Sequence, residues 1–430
     1  MSDRPKGPRC AALVGPYLSG KTTLLEALLF ASGAIGRRGT QKDGNTAGDA
    51  TPEARARQMT TEINVGRTNY LDDPWVFLDC PGSVELAWEA QNAMLAADVA
   101  VIVCEPEPER ALTLAPLFKF LDDREIPHMV FINKMDTASA RVSEMLAALQ
   151  SVSQRPLVLR QVPMDGEKNA PEGYVDLVSE RAYKYKPGQA SDLIKLPEAM
   201  LDAEKTTRAG LVEKLADFDD KLLEQLLEDV QPSKADIYRH LTQNLRRDLI
   251  VPVFLGAAPL DHGVRRLLKA LRHETPEAAT TAARLKLDAT SGDTVAQVIK
   301  TYHPSGAGKL SLVRIWSGQV TEGMTLNGTR VAGVVQLLGT QATKMPSAGP
   351  GDVVALSRLE AIATGAMLSS GTPPKIVRIP LPAPVYGLSI AAEKRTDDVK
   401  LSGAITRLIE EDPTLSLDHN AETQEMVLWG

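Results

Sequence analysis

The nine residues "GPYLSGKTT", 15 to 23, place two glycines, a lysine and two threonines at the spacing G-x-x-x-x-G-K-T. Glycines there let backbone N–H groups wrap a polyphosphate, a lysine reaches its outer oxygens, and the following hydroxyl can hold Mg2+. The candidate nucleotide-binding residues of this stretch are Gly15, Pro16, Tyr17, Leu18, Ser19, Gly20, Lys21, Thr22 and Thr23. A second acidic stretch, "WVFLDCPGSVE" (75 to 85), ends an apolar strand on Asp79, followed by Cys80, Pro81, Gly82 and Ser83. An acid there lies beside Thr22 and can hold Mg2+ through water, while Gly82 can turn its N–H to a γ-phosphate. A third, "FINKMD" (131 to 136), closes another apolar strand on Asn133, Lys134, Met135 and Asp136. A carboxylate accepts two hydrogen bonds from guanine N1–H and its 2-amino group, a pair adenine does not offer, and a lysine stem can lie along the base. The expected ligands are therefore GTP or GDP with Mg2+, and an ATP-using kinase is disfavoured.

These motifs need strands that end at one edge of a sheet. From residue 10 to about 160, short apolar runs such as "CAALV", "WVFLD", "VAVIVCE" and "HMVFIN" alternate with helical patterns of 10 to 13 residues. That alternation predicts parallel strands joined by crossovers, a doubly wound α/β sheet, with strand 10 to 14 feeding helix 21 to 31. Residues 161 to 250 turn to polar loops and charged helices, among them "LVEKLADFDDKLLEQLLEDV" (211 to 230), before "VPVFLG" (251 to 256) resumes the buried-strand pattern. The middle region reads as a subdomain inserted into the first domain.

After residue 280 helical periodicity fades, and "TVAQVIKTY", "GKLSLVRIWSG", "RVAGVVQLLG" and "DVVALSRL" predict a small closed β-barrel. The expected division is 1–280 for a nucleotide-binding domain with its insert at about 161–250, 281–375 for the barrel, and 376–430 for a partial α+β domain. The last residues, "MVLWG", read as an apolar strand without a partner, which suggests a natural protein that continues.

A net charge of -7 argues against a chain that coats nucleic acid by bulk electrostatics, and DNA is not an expected partner. Cys10, Cys80 and Cys104 lack metal-site spacing and suit a reducing compartment. No apolar leader and no run of 18 apolar residues occurs, so neither a signal peptide nor a membrane span is expected. The cysteine usage points to the cytoplasm, and a monomer is the expected state.

The three motifs in this order, with "GAA" (256 to 258) closing a later strand, resemble the translational GTPases, and the elongation factor G family most closely. The resemblance covers essentially all 430 residues. It implies an α/β P-loop GTPase domain with an inserted subdomain, a β-barrel domain and a partial α+β, ferredoxin-like domain. It also implies a ribosome partner, through rRNA and ribosomal proteins, and GTP hydrolysis coupled to a step such as translocation. Residue by residue it adds Ala257 and Ala258 beside the guanine, makes Asp79 to Ser83 switch II, and reads "ARARQMTTEI" (54 to 63) as an altered switch I. Thr60 then becomes a Mg2+ ligand beside Thr22 and Asp79, and Gln58 and Met59 stand where the family has Gly-Ile. Lys21, Gly82 and Ser83 are the implied catalytic residues.

Two departures bear on catalysis. Ser83 stands where the family has the histidine that positions the attacking water, a role worth about 10²- to 10⁴-fold. Leu18 stands where the family has aspartate, with Pro16 and Tyr17 in place of His-Val or His-Ile. Slow hydrolysis is expected, and a slow or non-hydrolysing ribosome-binding paralogue with a protective, recycling or regulatory role is the alternative.

Overall fold

The computed structural model describes every residue except 1–6, 50, 167–169, 187, 288–291, 305, 307, 377, 421 and 424. The leading six residues, Ala50 and part of the expected barrel entry thus lie outside the described residues. The chain forms two compact units, one of Met1–Val84, Ala97–Thr281 and Leu338–Thr340, the other of Glu85–Ala96, Ala282–Leu337 and Gln341–Gly430.

In chain order the elements that position the site are β1 Arg9–Val14, α1 Lys21–Ala31, α2 Pro52–Arg57, β2 Asn64–Tyr70, β3 Asp73–Asp79, α3 Ala87–Ala96 and β4 Val99–Cys104. Then come α4 Ala115–Asp123, β5 His128–Ile132, α5 Val142–Gln150 and β6 Leu157–Leu159. The insert holds β7 Gln161–Asp165, β8 Pro171–Asp176, β9 Arg181–Lys184, β10 Asp192–Ile194, α6 Leu201–Ala216, α7 Asp220–Leu227 and α8 Lys234–Arg246. β11 Val251–Leu255 and α9 Val264–Glu274 close the first unit's αβ pattern.

The main sheet has the order β2-β3-β1-β4-β5-β11-β6. β1 lies between two parallel neighbours, and all six of its residues are buried, which is why its sequence is apolar without alternation. β2 departs from the all-parallel expectation: it runs antiparallel to β3 at the sheet edge. Leu71 and Asp72 make the turn, with φ of 51° and 67°. Positive φ at both central positions matches the right-handed twist of a hairpin, but Leu-Asp is not the residue pair that announces such a turn. The core beneath joins Leu13, Leu24 and Leu28 to Phe77, Phe131, Phe254 and Leu271.

The insert is not loops and helices alone. β10, β9, β8 and β7 form a separate antiparallel sheet. The expected continuous helix over 211 to 230 breaks after α6, and the Asp219 side chain caps α7 by accepting from the Leu222 N–H. At the root of the insert His128 sits fully buried with Asp248 at 3.2 Å and Asp122 at 3.8 Å, and Arg155 faces both carboxylates.

In the second unit six strands order as Gln341–Met345, Val334–Leu338, Val353–Ser357, Leu310–Ser317, Val295–Tyr302 and Met367–Ser369, around a core that includes Val298, Ile315, Val331 and Leu356. α3 belongs to this unit. The buried Lys300 ammonium donates to Glu89 of α3 at 2.7 Å and to the Glu411 carbonyl at 3.0 Å. The final strand, Met426–Trp429, is not partnerless as its sequence suggested: it lies between Gly387–Ile390 and Ser416–His419, antiparallel to both.

Candidate functional site

The C-terminal ends of β1, β3, β5 and β11 each run into one of the marked loops, so a parallel sheet delivers the motifs to one edge. Gly15 has φ 139°, and a side chain on it would strike the Val103 carbonyl oxygen at 2.1 Å. Gly20, at φ 90°, precedes α1 with no side-chain cap, which leaves the first-turn amides for a ligand. Leu18 between them is also left-handed, φ 66°, and 57% exposed.

A cavity of about 220 Å³ opens over this loop. Tyr17, Leu18, Gly20, Lys21, Thr22 and Thr23 line it, joined by Thr60, Gly82 and Lys134 from the other segments. Gln41 and Met59 also line it, and the sequence marked neither as a site residue. Met59 had only its position inside the switch I resemblance, 54 to 63, as a signal, and Gln41 lies outside that stretch.

At its floor three side chains converge. The Thr22 hydroxyl donates to Asp79 Oδ2 at 2.8 Å, and Thr22 and Thr60 oxygens lie 2.9 Å apart. The other Asp79 oxygen, Oδ1, is buried without a hydrogen-bond partner. Burial pushes the Asp79 carboxyl up to about 7, with Lys21 acting against that rise. Lys21 is itself buried, which lowers its ammonium pKa, while Asp79 opposes the fall. An all-oxygen donor set around an unpartnered carboxylate oxygen suits Mg2+.

Two buried acids absent from the expected site shape this floor. Asp49 accepts from Gln41 at 2.9 Å and from Asn64 at 3.0 Å, and its charge acts on both Lys21 and Asp79. Glu26 of α1 accepts from the Gly39 N–H at 2.7 Å and the Ala47 N–H at 2.5 Å, so the first helix holds the loop that carries Gln41.

Lys21 donates to the Pro16 carbonyl at 2.9 Å. Gly82 stands so close that an added Cβ would meet Lys21 Nζ at 2.3 Å and the Gly15 oxygen at 2.8 Å. Cys80 and Pro81 are buried, and Ser83 is half-buried and does not line the cavity. Ser19 is buried with a partnerless hydroxyl.

At the base end, Asn133 is a brace: its Nδ2 donates to the Ser19 carbonyl at 3.0 Å, and its Oδ1 accepts from the Ala258 N–H at 2.9 Å. Met135 is buried, and its N–H donates to the Gly256 carbonyl at 3.0 Å. Lys134, at φ 58°, donates to the Leu18 carbonyl at 2.8 Å and pairs with Glu105. Asp136 is exposed, while Ala257 and Ala258 are buried beneath the loop.

The elongation factor Tu GTP binding domain family matches residues 8–277, and the family descriptions for elongation factor G domain 2 and domain III match 293–371 and 381–430. The chain belongs to the elongation factor G-like translational GTPases. It is 52% identical over 425 residues to an elongation factor G-like protein of Synechocystis sp., covering 98% of this chain and 63% of that protein. Against elongation factor G of Mycoplasma pneumoniae the identity is 26% over 434 residues, 96% of this chain and 62% of the relative. A solved structure from Thermus thermophilus is similar at TM-score 0.87 and 28% identity, over 98% of this chain and 63% of that one. The chain thus spans a little under two thirds of the relatives it matches. Among the described residues of this translational GTPase, no helix is long and apolar enough to cross a membrane.

Proposed function

We propose that this translational GTPase binds GTP and GDP with Mg2+ and couples the nucleotide state to a step on the ribosome, such as translocation. The convergence of Thr22, Thr60 and Asp79 beneath the phosphate loop carries this reading, because it joins three sequence-distant segments around one set of oxygens. Thr22, Thr60 and Asp79 would hold the Mg2+, whose charge would offset that of the phosphate oxygens. The loop amides and Lys21 bind and orient the triphosphate, and Gly82 presents its N–H to the γ-phosphate. Asp136 selects guanine, with Asn133 bracing the base loop against the phosphate loop. Residues near 37 to 62 and 79 to 90 order around the γ-phosphate and are released after hydrolysis. We read the domain division as 1–280, 281–375 and 376–430, and the working compartment as the cytoplasm.

Ser83 favours a second reading, slow turnover in a factor that uses GTP to hold a ribosome-bound shape. It is shorter than the family's histidine and lies outside the cavity lining. Single-turnover hydrolysis with and without ribosomes, on the longest natural chain and its Ser83→His variant, separates the two. Strong ribosome stimulation of the natural protein supports the working GTPase; background rates restored by Ser83→His support the held binder. Loss of GTP binding in Lys21→Ala and Asp136→Asn is expected for both, and retained affinity would overturn the nucleotide assignment.

A further inference from the structure

The insert reaches the base-recognition loop through an aromatic contact. Tyr185 follows β9 directly, and its N–H is fixed to the Glu172 carbonyl at 2.8 Å. Its ring stacks on His262, with centroids 4.1 Å apart and planes 4° from parallel. The contact extends into the insert sheet, where Tyr185 meets Tyr174 at 5.7 Å and Tyr174 stacks on Tyr183 at 5.2 Å. On the other side, His262 closes the loop that begins at Gly256. Its backbone exchanges two hydrogen bonds with Ala257, at 3.0 and 3.1 Å. The next N–H, that of Ala258, holds Asn133, and Asn133 holds Ser19 of the phosphate loop. The Asp136 carboxylate is the charge that acts on His262 against the effect of burial, so the histidine ring also stands near the guanine-reading acid.

Neither ring is needed to complete the sheet or to touch phosphate. Tyr185 is half-buried at the end of a short strand, and His262 follows a left-handed Asp261 at φ 64°. A flat-on stack fixes both the height and the tilt of the loop that the histidine closes. The tyrosine is therefore a contact through which the insert can set the position of Ala258 and, through it, of Asn133.

We propose that Tyr185, acting through the stack on His262, is a positioning residue for guanine-nucleotide retention, so that the insert sets how long the nucleotide stays bound. This rests on the guanine-nucleotide reading above. Dissociation of fluorescently labelled GDP, with Mg2+ present, is compared between the natural chain and Tyr185→Leu, Tyr185→Phe, His262→Ala and the Tyr185→Leu/His262→Ala double variant. Each ring deletion is expected to release GDP roughly three- to ten-fold faster, the range an aromatic pair supports. Tyr185→Phe is expected to match the natural rate, and the double variant to be no faster than the faster single one. Nucleotide-free melting temperatures are expected to stay together, a result that general loosening of the fold would not give.

Unchanged release from Tyr185→Leu and His262→Ala overturns the proposal, as does a double variant whose effects multiply. A natural chain that retains no GDP would instead overturn the guanine reading on which the proposal stands. If Tyr185→Leu does not fold, His262→Ala removes the other ring and carries the same expectation.

Discussion

The hydroxyl oxygens of Thr22 and Thr60 stand 2.9 Å apart, although 38 residues separate them in the chain. Thr22 lies in the first turn of α1, just after the phosphate loop, and Thr60 lies in the segment 54 to 63. Their meeting brings two sequence-distant segments onto one set of oxygens.

The two threonines should part company by nucleotide. Thr22→Val removes an oxygen useful with either nucleotide and is expected to weaken GTP and GDP alike. Thr60→Val should weaken GTP by about ten-fold, comparable with one charge-assisted contact, and leave GDP nearly unchanged. Titrations of labelled GTP and GDP in Mg2+ decide it; equal losses from Thr60→Val would make that residue a packing contact only.

Gly82→Ala places a methyl group where Lys21 Nζ and the Gly15 oxygen already stand, at 2.3 and 2.8 Å. Backbone on one side cannot yield as a side chain can, so the lysine must move. Hydrolysis is expected to fall about a hundred-fold, as when one aligned transition-state donor is lost. A single-turnover assay at saturating GTP measures this, and a rate within two- or three-fold of the natural one would show that Gly82 does not need to be glycine.

Glu26→Leu leaves the Gly39 and Ala47 N–H groups without the carboxylate that accepts from both. Two hydrogen bonds to a charged acceptor are together worth about 3–6 kcal/mol before relaxation. The loop between them carries Gln41 into the cavity. Trypsin should then cut at Arg37, Arg38 or Lys42 well before the rest of the chain. Cleavage at the natural rate would mean that other contacts hold this loop.

His128 gives a pH dependence with a definite sign. Burial lowers its pKa, but hydrogen bonding and charge from Asp248, the Ile126 carbonyl and Asp122 outweigh that, and the net shift is upward from 6.5. A raised folded-state pKa contributes stability fully present below about pH 6.5 and lost as pH rises through the folded value. Asp122 is raised as well, chiefly by burial, and its contribution falls with rising pH in the same sense above the ordinary carboxylate range. Relative to His128→Asn, the natural chain should lose unfolding free energy as pH climbs from 6.5 to 8.5. Parallel urea-unfolding curves across that range would refute the linkage. Arg155 faces the same two carboxylates, so removing it should sharpen the dependence rather than abolish it.

What was legible in the sequence follows from how tightly each function restricts residue type. Gly15, Gly20 and Gly82 are demanded by approaches that a Cβ would block, and such positions announce themselves. The buried parallel strands likewise showed as unbroken apolar runs. The insert sheet did not, because β9 and β10 are only four and three residues long, with one buried residue in β9 and none in β10. Gln41 and Met59 could not be read either. Gln41 reaches the cavity on a loop held by Glu26 through backbone amides, and Met59 follows α2 with its N–H on the Ala54 carbonyl, so neither position is written in a motif. The hairpin at Leu71 and Asp72 was hidden by turn residues that carry no glycine or asparagine.

The Lys300 contact with Glu89 also bears on how the chain is made. The two residues are 211 positions apart, so α3 leaves the synthesising ribosome long before the lysine that will receive it. At roughly 5–20 residues per second, that wait lasts about 10–40 s. During it the helix carries a carboxylate destined for burial, still in water. A nascent chain stopped near residue 281 would therefore hold an unfinished α3, so synthesis must continue into the β-rich unit before the segment after Ser83 has its final neighbours.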